Sequence, residues 1–579
     1  MEGPAQQAAP TRRSAPALGA ALLAVYLLLA VALFNRGLFT GGGTIVGNHG
    51  DPPLFIWYLQ WLPFALGHHL NPLLTTYLHY PRGANLMWNT SIVFPALLLA
   101  PVTLAFGPIT AYNVLCVLAV GTSAWCGYLA ARRFTQSWVA AAVGGLLYGF
   151  SPYMISQSLG HAMLTPAFYP ALMVVLADEI LVRERRRAWV LGLLLGVATA
   201  VQFMTSTEIL AMTLVMAVPA LVAVAIVRHD LIRGRLDYAL GVGGAALASF
   251  LVLAGYPLYV LFFGPRRVHG PFWFLDYYVG TLERFVVPSP VQLLVIGHRA
   301  ELGDSSVYIG IPLLLLVVAT VVWLRRRSVV VVAAVTLVCA MIFSLGGYLH
   351  VTDAGGATQV PLPWQILDAT PFFNDILPIR VMLFGYLALG ILVAVFLDRV
   401  LRSPRARWRV AGAVAVVIAL VPLLPVMPFP SERWSTPPFF TSTDVDRLSS
   451  AGSVLVTSYP GYPSSVWQAE ADFPYRSATG PVFTPGPGGW QWGTNLGALG
   501  LELAQVRLGA PVPAELVPAA RQVYLDALAH HGVRSVVVGP ESHQAQVAQF
   551  FALLFGTPGD SVGGVVVWYQ VNPGALPDA

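Results

Sequence analysis

The chain has 579 residues, of which 56% are hydrophobic and 10% charged, with a mean hydropathy of +0.68. Soluble domains carry about 25% charge, so a water-facing globular chain, a disordered one, a collagen-like repeat and a disulfide scaffold are excluded, leaving a polytopic membrane protein. The formal net charge of +5 comes from 32 basic side chains, all arginine and most in short clusters beside apolar runs, as topology signals are and nucleic-acid surfaces are not.

In chain order, an apolar run from about Ala17 to Phe34 follows Arg12 and Arg13. It leads into Asn35-Arg36-Gly37 with no small-residue cleavage site, and so predicts an uncleaved first membrane helix. Arginine clusters at 183–187, 228–235, 325–327 and 402–409 mark cytoplasmic turns. Between them is room for two helices of about 16 to 25 residues each. The stretch 92–106 would invert this pattern if it crossed. It is short, contains Pro95 and Pro101 and ends in Gly107-Pro108, so a re-entrant or interfacial segment is expected there. The remaining spans number about 11, near 17–36, 109–131, 138–151, 163–182, 188–204, 206–227, 237–263, 306–324, 328–348, 380–400 and 410–428. The N-terminus is then inside and the C-terminus outside. Cys116, Cys126 and Cys339 lie within apolar segments and read as small buried hydrophobes.

Long external loops follow at 36–108, 264–305 and 349–379. After about Pro430 the composition turns polar, and the β-type runs Ser453–Thr457, Ser535–Val538 and Val565–Tyr569 flank a helical pattern over Ala519–His531. The expected organisation is a membrane domain over 1–429, with a first external loop over 37–108, and an extracytoplasmic α/β domain over 430–579.

Gly47-Asn-His-Gly-Asp51-Pro-Pro, followed by an aromatic run to Trp61, is the most informative segment. Trp57, Tyr58 and Trp61 suit a membrane–water boundary, which would place Asp51 near the external interface. There its carboxylate can act as a general base, taking the proton of an acceptor hydroxyl. The alternative is a helix cap, with Pro52 at the first helical position. His49, two residues earlier, is a candidate to orient Asp51 or bind donor phosphate. Glu208, at the turn Thr205-Ser-Thr-Glu208, is a second catalytic candidate because an acid entering a membrane helix is costly, against capping as the alternative. Arg266, Arg267 and Arg380 lie on the external side against the usual bias and are candidates for a lipid-linked phosphate. For Arg380 the alternatives are snorkelling or an ion pair with Asp375.

The first-loop Gly50-Asp51, the interfacial helices, the helix ending in Ala131-Arg-Arg-Phe134, and Ala140–Phe150 followed by Ser151-Pro152 resemble the GT-C superfamily of integral membrane glycosyltransferases. The resemblance covers about residues 15–230 and matches the rest in architecture only. It implies a polyprenyl-phosphate sugar donor, the first-loop Asp as catalytic base, and His161, in Ser158-Leu-Gly-His161, in a loop facing the same cavity. Tyr80-Pro-Arg-Gly-Ala-Asn-Leu-Met-Trp-Asn89 resembles actinobacterial members. No Asp-x-Asp and no second acid accompany Asp51, so a divalent metal has no clear ligand cluster and no cofactor is assigned. The resulting expectation is an inverting glycosyltransferase of the plasma membrane, using a polyprenyl-phosphate sugar donor and a cell-envelope glycan, lipid or protein acceptor. The competing readings are a non-catalytic lipid or glycan transporter (a flippase) and a cell-envelope assembly scaffold. A transporter would favour ionisable groups deep in several helices and an inverted repeat, neither of which is evident.

Overall fold

The computed structural model describes residues 14–40, 43–48, 50–229, 236–270, 278–294, 307–448, 452–458 and 462–571. It is a polytopic α-helical membrane fold with a sheet-containing C-terminal segment. Among the described residues, seven helices are long and apolar enough to cross hydrocarbon: Pro16–Leu33, Pro108–Arg132, Trp138–Gln157, Thr207–Val227, Asp237–Phe263, Pro378–Leu401 and Ala406–Leu423. The other expected spans fall on shorter helices. These are Phe168–Asp178 with a π turn over Glu179–Arg183, Ala188–Phe203, Ile311–Leu324 and Ser328–Ser344. The 92–106 stretch forms the 14-residue helix Val93–Phe106 with Pro101 inside it. At 1.5 Å per residue that is about 21 Å, short of a hydrocarbon core of about 30 Å.

The chain divides into two compact units. The first comprises residues 1–35, 116–253 and 273–430. Its helices pack through small residues. A Cβ on Gly144 would stand 2.5 Å from the Gly390 carbonyl oxygen, and one on Gly390 would stand 2.6 Å from that of Gly144, so Trp138–Gly149 and Met382–Leu401 meet backbone to backbone. Gly145 and Gly149 meet Ala124 with similar closeness. At the last turn of Met382–Leu401, the fully buried Asp398 accepts from the backbone N–H of Gln136 (2.9 Å) and of Ser137 (2.8 Å) and pairs with Arg402. The carboxylate therefore sits on the N-terminus of the helix that Ser137 caps, where a negative charge is favoured.

The second unit comprises residues 36–115, 254–272 and 431–579. Its mixed sheet runs in the order Asp560–Val562, Val565–Trp568, Val533–Val538, Ser453–Thr457, Arg476–Ser477. Ser453–Thr457 is parallel to both of its neighbours, and the other pairings are antiparallel. The central strands are valine-rich because both faces are covered. Val454, Val456 and Val537 pack with Phe439, Phe440 and Trp467 on one side, while Leu455, Val536 and Val538 pack with Leu525, Phe550 and Phe551 on the other.

In the same unit, the first loop is built onto the C-terminal segment. The helix Pro52–Gly67 has most of its side chains buried, and this corrects the expectation for its aromatic run. Trp57, Tyr58 and Trp61 do not face headgroups. Trp57 is fully buried and donates its indole N–H to Gln468 Oε1 at 2.8 Å. Trp61 stacks on Trp57 at 5.2 Å, and Phe473 meets both rings edge-on. The Tyr80–Asn89 segment and its approach are held the same way. Ser477 N–H donates to Tyr77 O (2.9 Å), and Tyr80 N–H donates to Ser477 O (3.0 Å). The Asn89 amide exchanges two hydrogen bonds with the Phe483 backbone, at 2.6 and 3.1 Å. Asn85 Nδ2 donates to the carbonyls of Val260 and Pro265, both at 3.0 Å.

Candidate active site

Asp51 is the N-cap residue of Pro52–Gly67, and the backbone leading to it is pinned. Thr44–Val46 pairs antiparallel with Ser431–Arg433. The Asn113 side chain accepts from Val46 N–H (2.9 Å) and donates to Gly37 O (2.7 Å) and Thr44 O (2.8 Å). Gly47 then takes a φ of +89°, which a residue with a Cβ resists. An N-cap side chain ordinarily accepts from the second or third helical N–H. Here the first two helical residues, Pro52 and Pro53, have no N–H, and Leu54 N–H donates to the backbone carbonyl of Asp51 at 3.0 Å. The Asp51 carboxylate makes no capping hydrogen bond. Its half-buried carboxylate stands at the positive end of a 16-residue helix, and its charge is felt by Tyr58. Burial, and then the Asp51 charge, push the Tyr58 phenol well above its usual range, and the phenol donates to Asn89 O at 3.2 Å.

Arg266 and Arg267 lie in the same unit. Arg266 adopts a φ of +58°, and its Nη1 donates to Thr75 O at 3.3 Å, with burial lowering the pKa of its guanidinium. Arg267 is exposed and donates to Phe262 O at 2.6 Å. His49 lies outside the described residues. The other unit holds Glu208, Arg380 and His161. Ser206 caps Thr207–Val227, which puts Glu208 in the helix's first turn. Arg380 sits in the 3₁₀ turn Pro378–Val381 that opens Met382–Leu401. The structure joins two residues that the sequence singled out separately: Arg380 Nη1 donates to Glu208 Oε2 at 2.7 Å, with both side chains largely buried. His161 is half-buried in the turn after Pro152–Gln157, and its N–H donates to Gln157 O at 2.8 Å. Among the described residues, no group of three or more His, Cys, Asp or Glu side chains could hold a metal ion.

Some contributors had no signal in the sequence. Gln468, Asn85, Asn89 and Asn113 shape the region around Asp51 through single amides whose partners lie far along the chain. Among the tail aromatics, Trp467 and Tyr475 are buried in the core, whereas Trp490 and Trp492 pack against Phe483 at 5.4 and 4.7 Å.

The fold is that of the GT-C membrane glycosyltransferases. The chain is similar to the mycobacterial arabinofuranosyltransferase AftD, with a TM-score of 0.60 and 15% identity over 98% of this chain and 40% of that one. The chain thus spans well under half the length of that protein. Lower similarities, with TM-scores of 0.46 and 0.41 and 12% identity, link it to the oligosaccharyltransferase AglB of Archaeoglobus fulgidus (97% of this chain, 75% of that one) and to ArnT of Cupriavidus metallidurans (98% and 100%). No protein-family profile matches the sequence, and comparison with curated proteins gives no match.

Proposed function

We propose that the protein transfers a sugar from a polyprenyl-phosphate donor to a glycan, lipid or protein acceptor on the extracytoplasmic face, with inversion at the anomeric carbon. The arginine bias orients the membrane helices with the N-terminus inside. Residues 1–429 then form the membrane domain, and 430–579 form an external α/β domain that holds the acceptor. Asp51 takes the proton of the acceptor hydroxyl as that oxygen attacks the anomeric carbon from the side opposite the phosphate. The bond from that carbon to the phosphate oxygen breaks, and polyprenyl phosphate leaves with the electron pair. Arg266, Arg267 and Arg380 are assigned to the phosphate, with Glu208 orienting the Arg380 guanidinium, and His49 and His161 to donor binding.

The observation that carries this reading is the position of Asp51, whose half-buried carboxylate stands at the positive N-terminal end of Pro52–Gly67. The fold shared with an arabinofuranosyltransferase supports it. Asp51→Asn tests it, because Asn keeps the size but takes up no proton at neutral pH. In purified protein supplied with a polyprenyl-phosphate sugar, turnover is expected to fall by about 100-fold or more with an unchanged melting temperature. A folded Asp51→Asn protein working at the wild-type rate would remove Asp51 from the chemistry.

A further inference from the structure

The reading above leaves a second set of cations unused. In the first unit, the ends of Ile311–Leu324 and Met382–Leu401 border a cavity of about 580 Å³ lined by Arg325, Arg326, Arg327, Arg399, Arg402 and Trp323, among others. Met382–Leu401 starts just after Arg380 and rises 1.5 Å per residue over 20 residues, so the cavity is about 30 Å from the Glu208–Arg380 pair. It is a separate place and does not depend on the transfer reaction.

Five arginines line this cavity, and among the described residues the one carboxylate paired with any of them is Asp398, which holds Arg402. Among the described residues, Arg325, Arg326, Arg327 and Arg399 have no ion-pair partner. Arg327 Nη1 is also buried with no hydrogen-bond partner. Topology alone explains arginines at a helix end, but it sends each head outward to water or headgroups. It explains neither a shared cavity nor a buried unpaired donor, which is costly unless an acceptor comes from elsewhere.

The missing partner is an anion with several acceptor oxygens, since planar guanidinium forks match phosphate in a bidentate way. Its source is indicated by the apolar side of the cavity. Val322 and Trp323 are more than half exposed, and exposed Leu315 and Val318 continue that face along the same apolar helix. Acyl chains lying on this face would bring a phosphate to the arginines. We propose that this cavity binds the phosphate headgroup of an anionic phospholipid, with Arg327 and Arg399 as principal donors.

Native mass spectrometry of the full chain in detergent tests this, with phosphatidylglycerol, phosphatidylcholine and inorganic phosphate as probes. Phosphatidylglycerol should be retained about ten-fold more tightly than phosphatidylcholine. The Arg327→Gln/Arg399→Gln double variant should lose that preference while binding phosphatidylcholine as before, and Arg327→Lys, which keeps the charge without the fork, should fall between. Excess inorganic phosphate, which has no acyl chain, should leave the lipid in place. Equal retention of the two lipids by the wild-type protein would overturn the proposal, as would a double variant with the wild-type preference. Displacement by inorganic phosphate would reassign the cavity to the free ion. The wild-type comparison decides the matter even if the double variant does not fold.

Discussion

Trp57 Nε1 donates to Gln468 Oε1 at 2.8 Å across 411 residues of sequence. Gln468 uses its own amide donor as well, giving hydrogen bonds to Tyr77 O at 3.0 Å and to Tyr475 O at 2.9 Å. One side chain therefore ties the helix that follows Asp51 and the loop after it to the C-terminal segment. Gln468→Ala leaves a buried indole N–H and the Tyr475 carbonyl unsatisfied, at roughly 1–3 kcal/mol for each group, while Tyr77 O keeps the Ser477 N–H. A drop in melting temperature of several degrees or more is expected. An unshifted Gln468→Ala melt would show that the contact does not hold these segments together.

Glu208 and Arg380 call for a cycle of substitutions. Removing one partner of a buried ion pair strands the other charge, at about 3–5 kcal/mol when burial is complete and less here, where some exposure remains. Glu208→Leu and Arg380→Met should each destabilise the protein more than the double substitution does, giving a coupling in the range of roughly 0.5–3 kcal/mol. In activity assays, Arg380→Ala should raise KM for the polyprenyl-phosphate sugar more than it lowers kcat. Additive losses across the cycle would mean the two side chains act independently.

His79 makes the second unit sensitive to acid. Its ring is buried, with Nε2 at 2.8 Å from Gly480 O and Nδ1 at 2.8 Å from the Thr494 hydroxyl. Burial lowers its pKa from 6.5 to about 4, against the opposing pull of the Gly480 carbonyl. The unfolded chain therefore takes up a proton here at a higher pH than the folded chain. The stabilisation is complete above about pH 6.5, declines as pH falls and is lost near pH 4, over a depth of roughly 3 kcal/mol. Melting temperatures measured from pH 7 down to 4 should show this slope, and His79→Asn, which cannot titrate, should flatten it. A variant with the same slope as wild type would assign the acid sensitivity elsewhere.

Gly390→Ala tests the membrane packing. The new methyl would sit 2.6 Å from the Gly144 carbonyl, which is backbone and cannot swing aside. Overpacking of this kind costs about 1–3 kcal/mol. Gly243→Ala, where a Cβ would meet nothing within 4 Å, is the control and should be neutral or slightly stabilising. Equal melting temperatures for the two variants would show that the helices can move apart at little cost.

The helices were readable because apolar length and arginine spacing are local properties, and Thr207–Val227 and Leu236–Phe263 fall within a residue or so of where those signals put them. The aromatic run after Asp51 was not, because Trp and Tyr serve a headgroup boundary and a protein core equally well. What decides between them is the cover supplied by Gln468 and Phe473, hundreds of residues on. Glu208 and Arg380 each stood out as a charge beside a membrane helix, but their pairing spans 172 residues and no spacing rule links them. The double proline after Asp51 was visible, yet it read as a helix start. Only with Leu54 N–H on the Asp51 carbonyl does it become clear that the carboxylate has no capping role.

The second unit is assembled from three separated stretches of chain, and this sets a timetable for its biosynthesis. Translation runs at roughly 5–20 residues per second, so the 411 residues between Trp57 and Gln468 take about 20–80 seconds to make. Through that interval the face of Trp57, Trp61 and Tyr77 has already emerged from the ribosome while Phe473 has not been synthesised. The nascent first loop must wait, with an aromatic surface uncovered, for the end of its own polypeptide. A ribosome that stalls or terminates early would release a chain whose membrane helices are inserted but whose loop cannot close, a natural substrate for quality-control proteolysis.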